Sequence, residues 1–272
     1  IAPLVDGGIA SYTGVTVPGT DIGGKSRIST LDIGAYEFVY YIWTGITSTD
    51  WSTPSNWVGP PSSVPTSIID NKVVISRGRP NYPTVSGTLS LSTRSSLTIE
   101  PQAGLTVIGA TSVGSGCTFL IKSDATGSAN FITGSSVSGS FTVELFLAGG
   151  GGPSYKWHYV TTPENDYDKT ALTTAINNTF DLLNYREDLV TTDKAAGWNY
   201  HDGYNSTPGF STLVTNRGYN VYIATDQTAT FTGPLLAVTD MPNSSTSCGT
   251  GYHALRCGNL LGDPSTRAAY TS

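Results

Sequence analysis

The clearest pattern in this chain is a recurring short apolar cluster, most often two apolar residues at alternate positions, set among polar residues. Val73-Val-Ile75, Leu89/Leu91, Leu97/Ile99, Leu105/Val107, Phe119/Ile121, Phe131/Ile132 and Phe141/Val143/Leu145 return every eight to twelve residues or so. Each reads as a brief strand with alternate side chains facing inward. Turns such as Ala103-Gly104 and Gly114-Ser-Gly116 separate several of them. Strands this short do not shield an apolar face singly, so they must stack. A β-solenoid with several strands per rung satisfies that demand, and a sandwich of short strands is the alternative.

The flanking segments differ. Residues 1–39 carry short apolar pairs and end in Thr30-Leu-Asp-Ile-Gly-Ala-Tyr-Glu-Phe38, whose alternation suits a closing strand. Residues 40–66 hold Tyr40-Tyr-Ile-Trp-Thr-Gly45 and then a Trp/Pro/Ser-rich run to Pro65, which reads as irregular linker whose tryptophans need a surface to pack on. Ala148-Gly-Gly-Gly-Gly152 reads as a hinge. Beyond it, residues 153–272 read as a second β unit with strands at Trp157–Thr161, Gly218–Ala224 and Thr228–Thr232, plus one short helix or loop at Lys169–Ile176. The expected fold is all-β. A β-solenoid or β-helix-like N-terminal half (40–147, linker included) is joined to a jelly-roll-like β-sandwich (153–272).

Composition agrees and removes several classes. Only 12% of the 272 residues are charged, Gly and Pro number 31 and 15, and Tyr (15) outnumbers Phe (8), which disfavours helical folds. The net charge of −6 and the scattered 14 basic residues argue against nucleic-acid binding. No apolar stretch approaches the ~20 residues of a membrane-spanning helix. The chain opens Ile-Ala-Pro, without Met or a signal-like segment, and so reads as a piece of something longer.

Candidate chemistry is sparse. Cys117 reads as a small buried side chain. Cys248 and Cys257 close a short loop and suit a disulfide in an oxidising compartment, or two free thiols; with His253 between them they lack the spacing of a zinc site. His158 alternates with Trp157 and Tyr159, which share the other strand face, and its plain reading is a histidine bonded to a backbone carbonyl. Trp198, Tyr200, Tyr204 and Tyr222 are candidate ligand-binding residues, since aromatic faces stack on sugar C–H groups while nearby Asn and Asp take hydroxyl hydrogen bonds. Their plain reading is core filling.

A glycoside hydrolase would use paired carboxylates, with Glu187, Asp202, His158 and His201 as catalytic candidates in a cleft between the halves. A metal-assisted form would recruit His158, His201 and Asp202. Asp166 and Asp168 in Asn165-Asp-Tyr-Asp168 offer oxygen ligands for calcium, without a full EF-hand ladder. No Gly-x-Ser-x-Gly elbow, HExxH, GxGxxG before a helix or phosphate loop is present.

Several motifs resemble known proteins. Leu31-Asp-Ile-Gly-Ala-Tyr-Glu37 looks like the end of the right-handed parallel β-helix domains of large exported bacterial surface proteins, which implies that residues 1–39 form the terminal part of a β-helix domain. The segment Trp43–Val107 is similar to a module of very long proteins of the Bacteroidetes type IX secretion route. Asp50-Trp-Ser-Thr-Pro-Ser-Asn-Trp57, Val64-Pro65, Asn71-Lys-Val-Val-Ile75, Tyr82-Pro83 and Leu97-Thr-Ile-Glu-Pro-Gln-Ala-Gly-Leu-Thr-Val107 carry that likeness. Lys156-Trp-His-Tyr-Val-Thr-Thr-Pro163, Tyr185-Arg-Glu187, Gly197-Trp198, Arg217-Gly-Tyr219 and Phe231-Thr-Gly233 extend it. The resemblance implies an extended β architecture, a secreted or cell-surface location and an adhesin-like role with polysaccharide as partner. It supplies no catalytic residues. Cys257-Gly-Asn-Leu-Leu-Gly-Asp-Pro264 only half matches the pattern, so residues 255–272 read as truncated or non-native.

Overall fold

The computed structural model describes residues 13, 17–22, 27, 39–59, 64–65, 68–69, 71–151, 156–163, 167–169, 182–186, 197–201, 209–214 and 217–235. Over these residues the protein is all-β, a β-solenoid joined to further antiparallel sheets. Residues 1–38, 170–181 and 236–272, with the expected closing strand and most of the expected helix, lie largely or wholly outside the described residues.

Val39–Trp43 (β1) opens the solenoid, and Trp57–Val58 (β2) folds back on it antiparallel. After Ile68–Ile69 (β3), the chain winds rung by rung. Asn71–Ile75 (β4), Thr84–Val85 (β5) and Leu89–Ser92 (β6) make one rung, and Ser96–Ile99 (β7), Gly104–Val107 (β8) and Thr111–Val113 (β9) the next. The third is Thr118–Ile121 (β10), Asn130–Thr133 (β13) and Val137–Ser138 (β14), interrupted by the small hairpin Ser123–Asp124 (β11) and Gly127–Ser128 (β12). Each strand pairs in parallel with its equivalent one rung away, giving the stacks β1-β4-β7-β10-β15, β5-β8-β13 and β3-β6-β9-β14, where β15 is Phe141–Leu147.

The register explains the apolar pairs. Tyr41 aligns with Val73, Val73 with Leu97 and Leu97 with Phe119; beside them run Trp43, Ile75, Ile99, Ile121 and Val143. All are buried, while the alternating Lys72, Ser96 and Thr118 face outward. A one-residue slip would turn the whole apolar set to solvent, so the stack fixes its own alignment. Gly139 marks a tight corner: with φ of 90°, its added Cβ would lie 1.9 Å from the Val113 carbonyl oxygen.

The segment expected as irregular linker is a cap. Trp43, Trp51, Trp57 and Tyr41 pack ring on ring, with centroids 4.6–6.5 Å apart, over the first rung. The indole N–H groups of Trp43, Trp51 and Trp57 donate to the carbonyls of Asn81, Pro65 and Trp51 at 2.7–2.8 Å. Fully buried Asn56 accepts from the N–H groups of Thr47 and Ser48 and donates to the Asp50 carbonyl and the Ser48 hydroxyl. Loop backbone is thereby hydrogen-bonded without a strand partner.

The C-terminal half forms a four-stranded antiparallel sheet, ordered Lys156–Val160 (β16), Tyr219–Ile223 (β21), Leu182–Tyr185 (β18) and Trp198–Tyr200 (β19). Tyr167–Asp168 (β17) pairs with Thr212–Leu213 (β20). The last described strand, Gln227–Gly233 (β22), returns to the solenoid and pairs with all seven residues of β15. The expected hinge is pinned as well: Gly149 N–H donates to Asp226 Oδ1 at 2.8 Å, and Gly151 N–H to the Ala224 carbonyl at 2.8 Å. One apolar core runs from Tyr41 through Phe119 and Phe231 to Val221.

Candidate functional site

Strand alternation gives the four-stranded sheet two unlike faces. Val160, Val221, Leu182, Ile223 and Tyr219 turn one way and are buried. The other face is aromatic. Trp157 pairs with Tyr222 across β16 and β21, and their rings stack 4.2 Å apart at 28°. Tyr185 pairs with Trp198 across β18 and β19, with rings edge-on at 5.1 Å. Tyr159, Asn220, Leu183 and Tyr200 form the row between these pairs.

Trp157, Tyr159 and Tyr185 are 49%, 60% and 39% exposed, and Trp198, Tyr200 and Tyr222 are half-buried. With strands ~4.8 Å apart and alternate residues ~7 Å apart, the rings mark a diagonal strip on the order of 20 Å long. None of these eight side chains is charged.

Three of the ligand-binding candidates, Trp198, Tyr200 and Tyr222, therefore share one face, and Tyr204 lies outside the described residues. Trp157 and Tyr159 complete the face, and their alternation was visible in the sequence. Tyr185 joins only through the pairing of β18 with β19.

His158 turns to the opposite face, where its Nε2 lies 2.8 Å from the Ala148 carbonyl oxygen. His201 follows β19. Lys169 Nζ lies 3.3 Å from its Nδ1 and donates to its carbonyl at 2.6 Å. The two histidines occupy one row of the sheet, separated by three strand spacings or ~14 Å, so their rings do not converge on one reacting atom or metal.

Glu187, Asp202 and Asp166 lie outside the described residues, as do Cys248 and Cys257. Asp168 is described through its backbone, paired with Thr212. Among the described residues no three His, Cys, Asp or Glu side chains gather as a metal site. Cys117 is a free thiol, half-buried at the turn before β10 rather than fully enclosed. Where a catalytic cleft was expected, Ile121, Val143, Glu144, Leu145, Pro163 and Phe231 line a partly open hollow of about 10 Å³, room for at most one water and with Glu144 as its one carboxylate.

Among the described residues two carboxyls carry perturbed acidity, and both serve turns. Asp50 is held below its ordinary value of 3.8 by the Ser52 N–H, then by the hydroxyls of Ser52 and Thr53. Asp124 is lowered by the hydroxyl and then the N–H of Thr126, with Arg77 3.6 Å away. A carboxyl with a depressed folded-state value stabilises the fold above its unfolded value, and that contribution is lost as pH falls through the folded value. Both groups are exposed, so the effect is small. Melting temperature should decline on acidification below about pH 4, less steeply in Asp50→Asn. Melts at pH 6 and pH 3 test this, and a wild-type-to-variant difference independent of pH would contradict it.

Among the described residues no helix is long and apolar enough to cross a membrane. The molecule is thus an aromatic-capped β-solenoid whose sheet is extended by a returning strand and which carries a second sheet with an aromatic face. The chain belongs to the family described as a domain of unknown function, DUF8693, whose model matches residues 42–241. That match runs from β1 past β22, so cap, solenoid and aromatic sheet fall within one family unit. No curated protein and no solved structure matches the chain.

Proposed function

We propose that this chain is a non-catalytic, adhesin-like module of a secreted or cell-surface protein that binds polysaccharide on its aromatic sheet. The order of motifs resembling type IX-exported Bacteroidetes proteins supports the location. The observation that carries the binding reading is the exposure of Trp157, Tyr159 and Tyr185 on one face with three further rings. Apolar rings left at a surface have a use when a ligand covers them, and sugar C–H faces suit them. A glycan hydrolase needs two carboxylates flanking the scissile bond. The described residues of this face supply none.

Affinity electrophoresis through a panel of soluble polysaccharides tests the reading. At least one polymer should retard the protein without releasing reducing ends. Trp157→Ala and Tyr222→Ala should each weaken binding about tenfold while melting within a few degrees of wild type. Migration unaffected by every polymer would overturn the proposal.

A further inference from the structure

At the centre of the aromatic face, Asn220 lies between Tyr159 on β16 and Leu183 on β18. The residue is only 7% exposed, and its Oδ1 has no hydrogen-bond partner. A buried amide oxygen without a donor is costly and calls for an explanation; Asn130 Oδ1 and Thr111 Oγ1 share that condition but lie on solenoid strands away from the aromatic face. Asn184 and Asn199 also hold unpaired Oδ1 atoms, but they sit opposite each other across β18 and β19, where rotation of one amide offers the other a donor. Asn220 has no such neighbour across its strand pairs.

We infer that Asn220 is the hydroxyl-reading residue of this face, and that the ligand it reads is an uncharged polysaccharide strand. The inference rests on the polysaccharide-binding reading above. A sugar seated between the Trp157–Tyr222 stack and the Tyr185–Trp198 pair donates a hydroxyl to Asn220 Oδ1, a step that requires the side chains covering that buried oxygen to move aside. Rings on either side hold the neighbouring sugars, so the hydrogen bond sets the register of a chain the rings alone would let slide. Uronates or sulfated sugars would call for Arg or Lys to pair with their anions. The described residues of this face offer neither, and the chain's net charge of −6 repels polyanions.

The test uses the full chain, with galactomannan and mixed-linkage β-glucan as neutral probes and polygalacturonate and alginate as anionic ones. Wild type should bind a neutral polymer with an affinity nearly unchanged between 0.05 and 0.5 M NaCl, chosen to span roughly a threefold change in screening length. Asn220→Leu removes the orphaned oxygen at similar volume. It should melt above wild type yet bind that polymer at least tenfold more weakly. Asn220→Ala should show the same loss of binding, which keeps the test intact if leucine fits poorly.

Neutral-polymer binding unchanged in both variants would overturn the role of Asn220 and leave the aromatic surface standing. Preference for the anionic polymers, or loss of binding in salt, would overturn the neutral class. Absence of binding to all four probes would overturn the polysaccharide reading and this inference with it.

Discussion

Trp43→Ala should destabilise the protein by about 3–5 kcal/mol, lowering its melting temperature by roughly 10–15 °C for a chain of this size. Trp43 is fully buried, ends the inward column that continues through Ile75 and Ile99, and touches the rings of Trp51 and Trp57. Removing the indole opens a cavity beneath the cap and strands the Asn81 carbonyl, which it serves at 2.7 Å. That carbonyl lies where the cap closes on the solenoid: Asn81 Nδ2 donates to the Gly45 carbonyl. A Cβ on Gly45, whose φ is 59°, would stand 2.1 Å from the Asn81 oxygen. Trp43→Phe keeps most of the ring and loses the hydrogen bond, so it should cost about 1–3 kcal/mol. Thermal melts followed by near-ultraviolet circular dichroism separate the two. Equal melting temperatures for wild type and Trp43→Ala would mean the tryptophans merely decorate the end of the stack. Solenoid ends need such covers because an open terminal rung exposes both its apolar column and its unpaired backbone.

How much of this was legible in the sequence depends on how local the controlling physics is. The apolar pairs at 73–75, 97–99, 119–121 and 141–145 declare strands because burial alternates with every residue, and their brevity declares stacking. Thr84–Val85, Thr111–Val113 and Val137–Ser138 escape notice: two or three residues with one apolar side chain carry no measurable period, and only the rung beneath makes them strands. The Trp/Pro stretch at 50–65 looks like linker because nothing local says where an indole will pack. Alternation at Trp157, His158 and Tyr159 correctly separates the exposed rings from the histidine bonded to the Ala148 carbonyl. Asn220 is invisible to such reasoning, since its meaning comes from having Tyr159 and Leu183 as neighbours on two other strands. Likewise Thr228–Thr232 reads as a strand of the second unit, while pairing with β15 assigns it to the solenoid sheet.

That returning strand gives the second large prediction its reach. Phe119 is 1% exposed, in register with Leu97, with its ring 5.0 Å from Phe131 and 4.9 Å from Phe141. Phe119→Ala should therefore cost about 3–5 kcal/mol. In a solenoid, the loss weakens both neighbouring interfaces, so β7, β10 and β15 should lose amide protection together, and proteolytic nicking within 89–145 should become easier. If β15 loosens, β22 loses its partner, and the connection that holds Gly149 and Gly151 to residues 224–226 loosens too. The aromatic sheet should consequently melt with the solenoid. Hydrogen exchange of the β16 and β21 amides in the intact chain should report the same denaturant midpoint as circular dichroism, and Phe119→Ala should shift both equally. A separate aromatic-sheet transition, untouched by Phe119→Ala, would show that seven residues of antiparallel pairing do not couple the halves, and that the bound and displayed parts of the molecule are energetically independent.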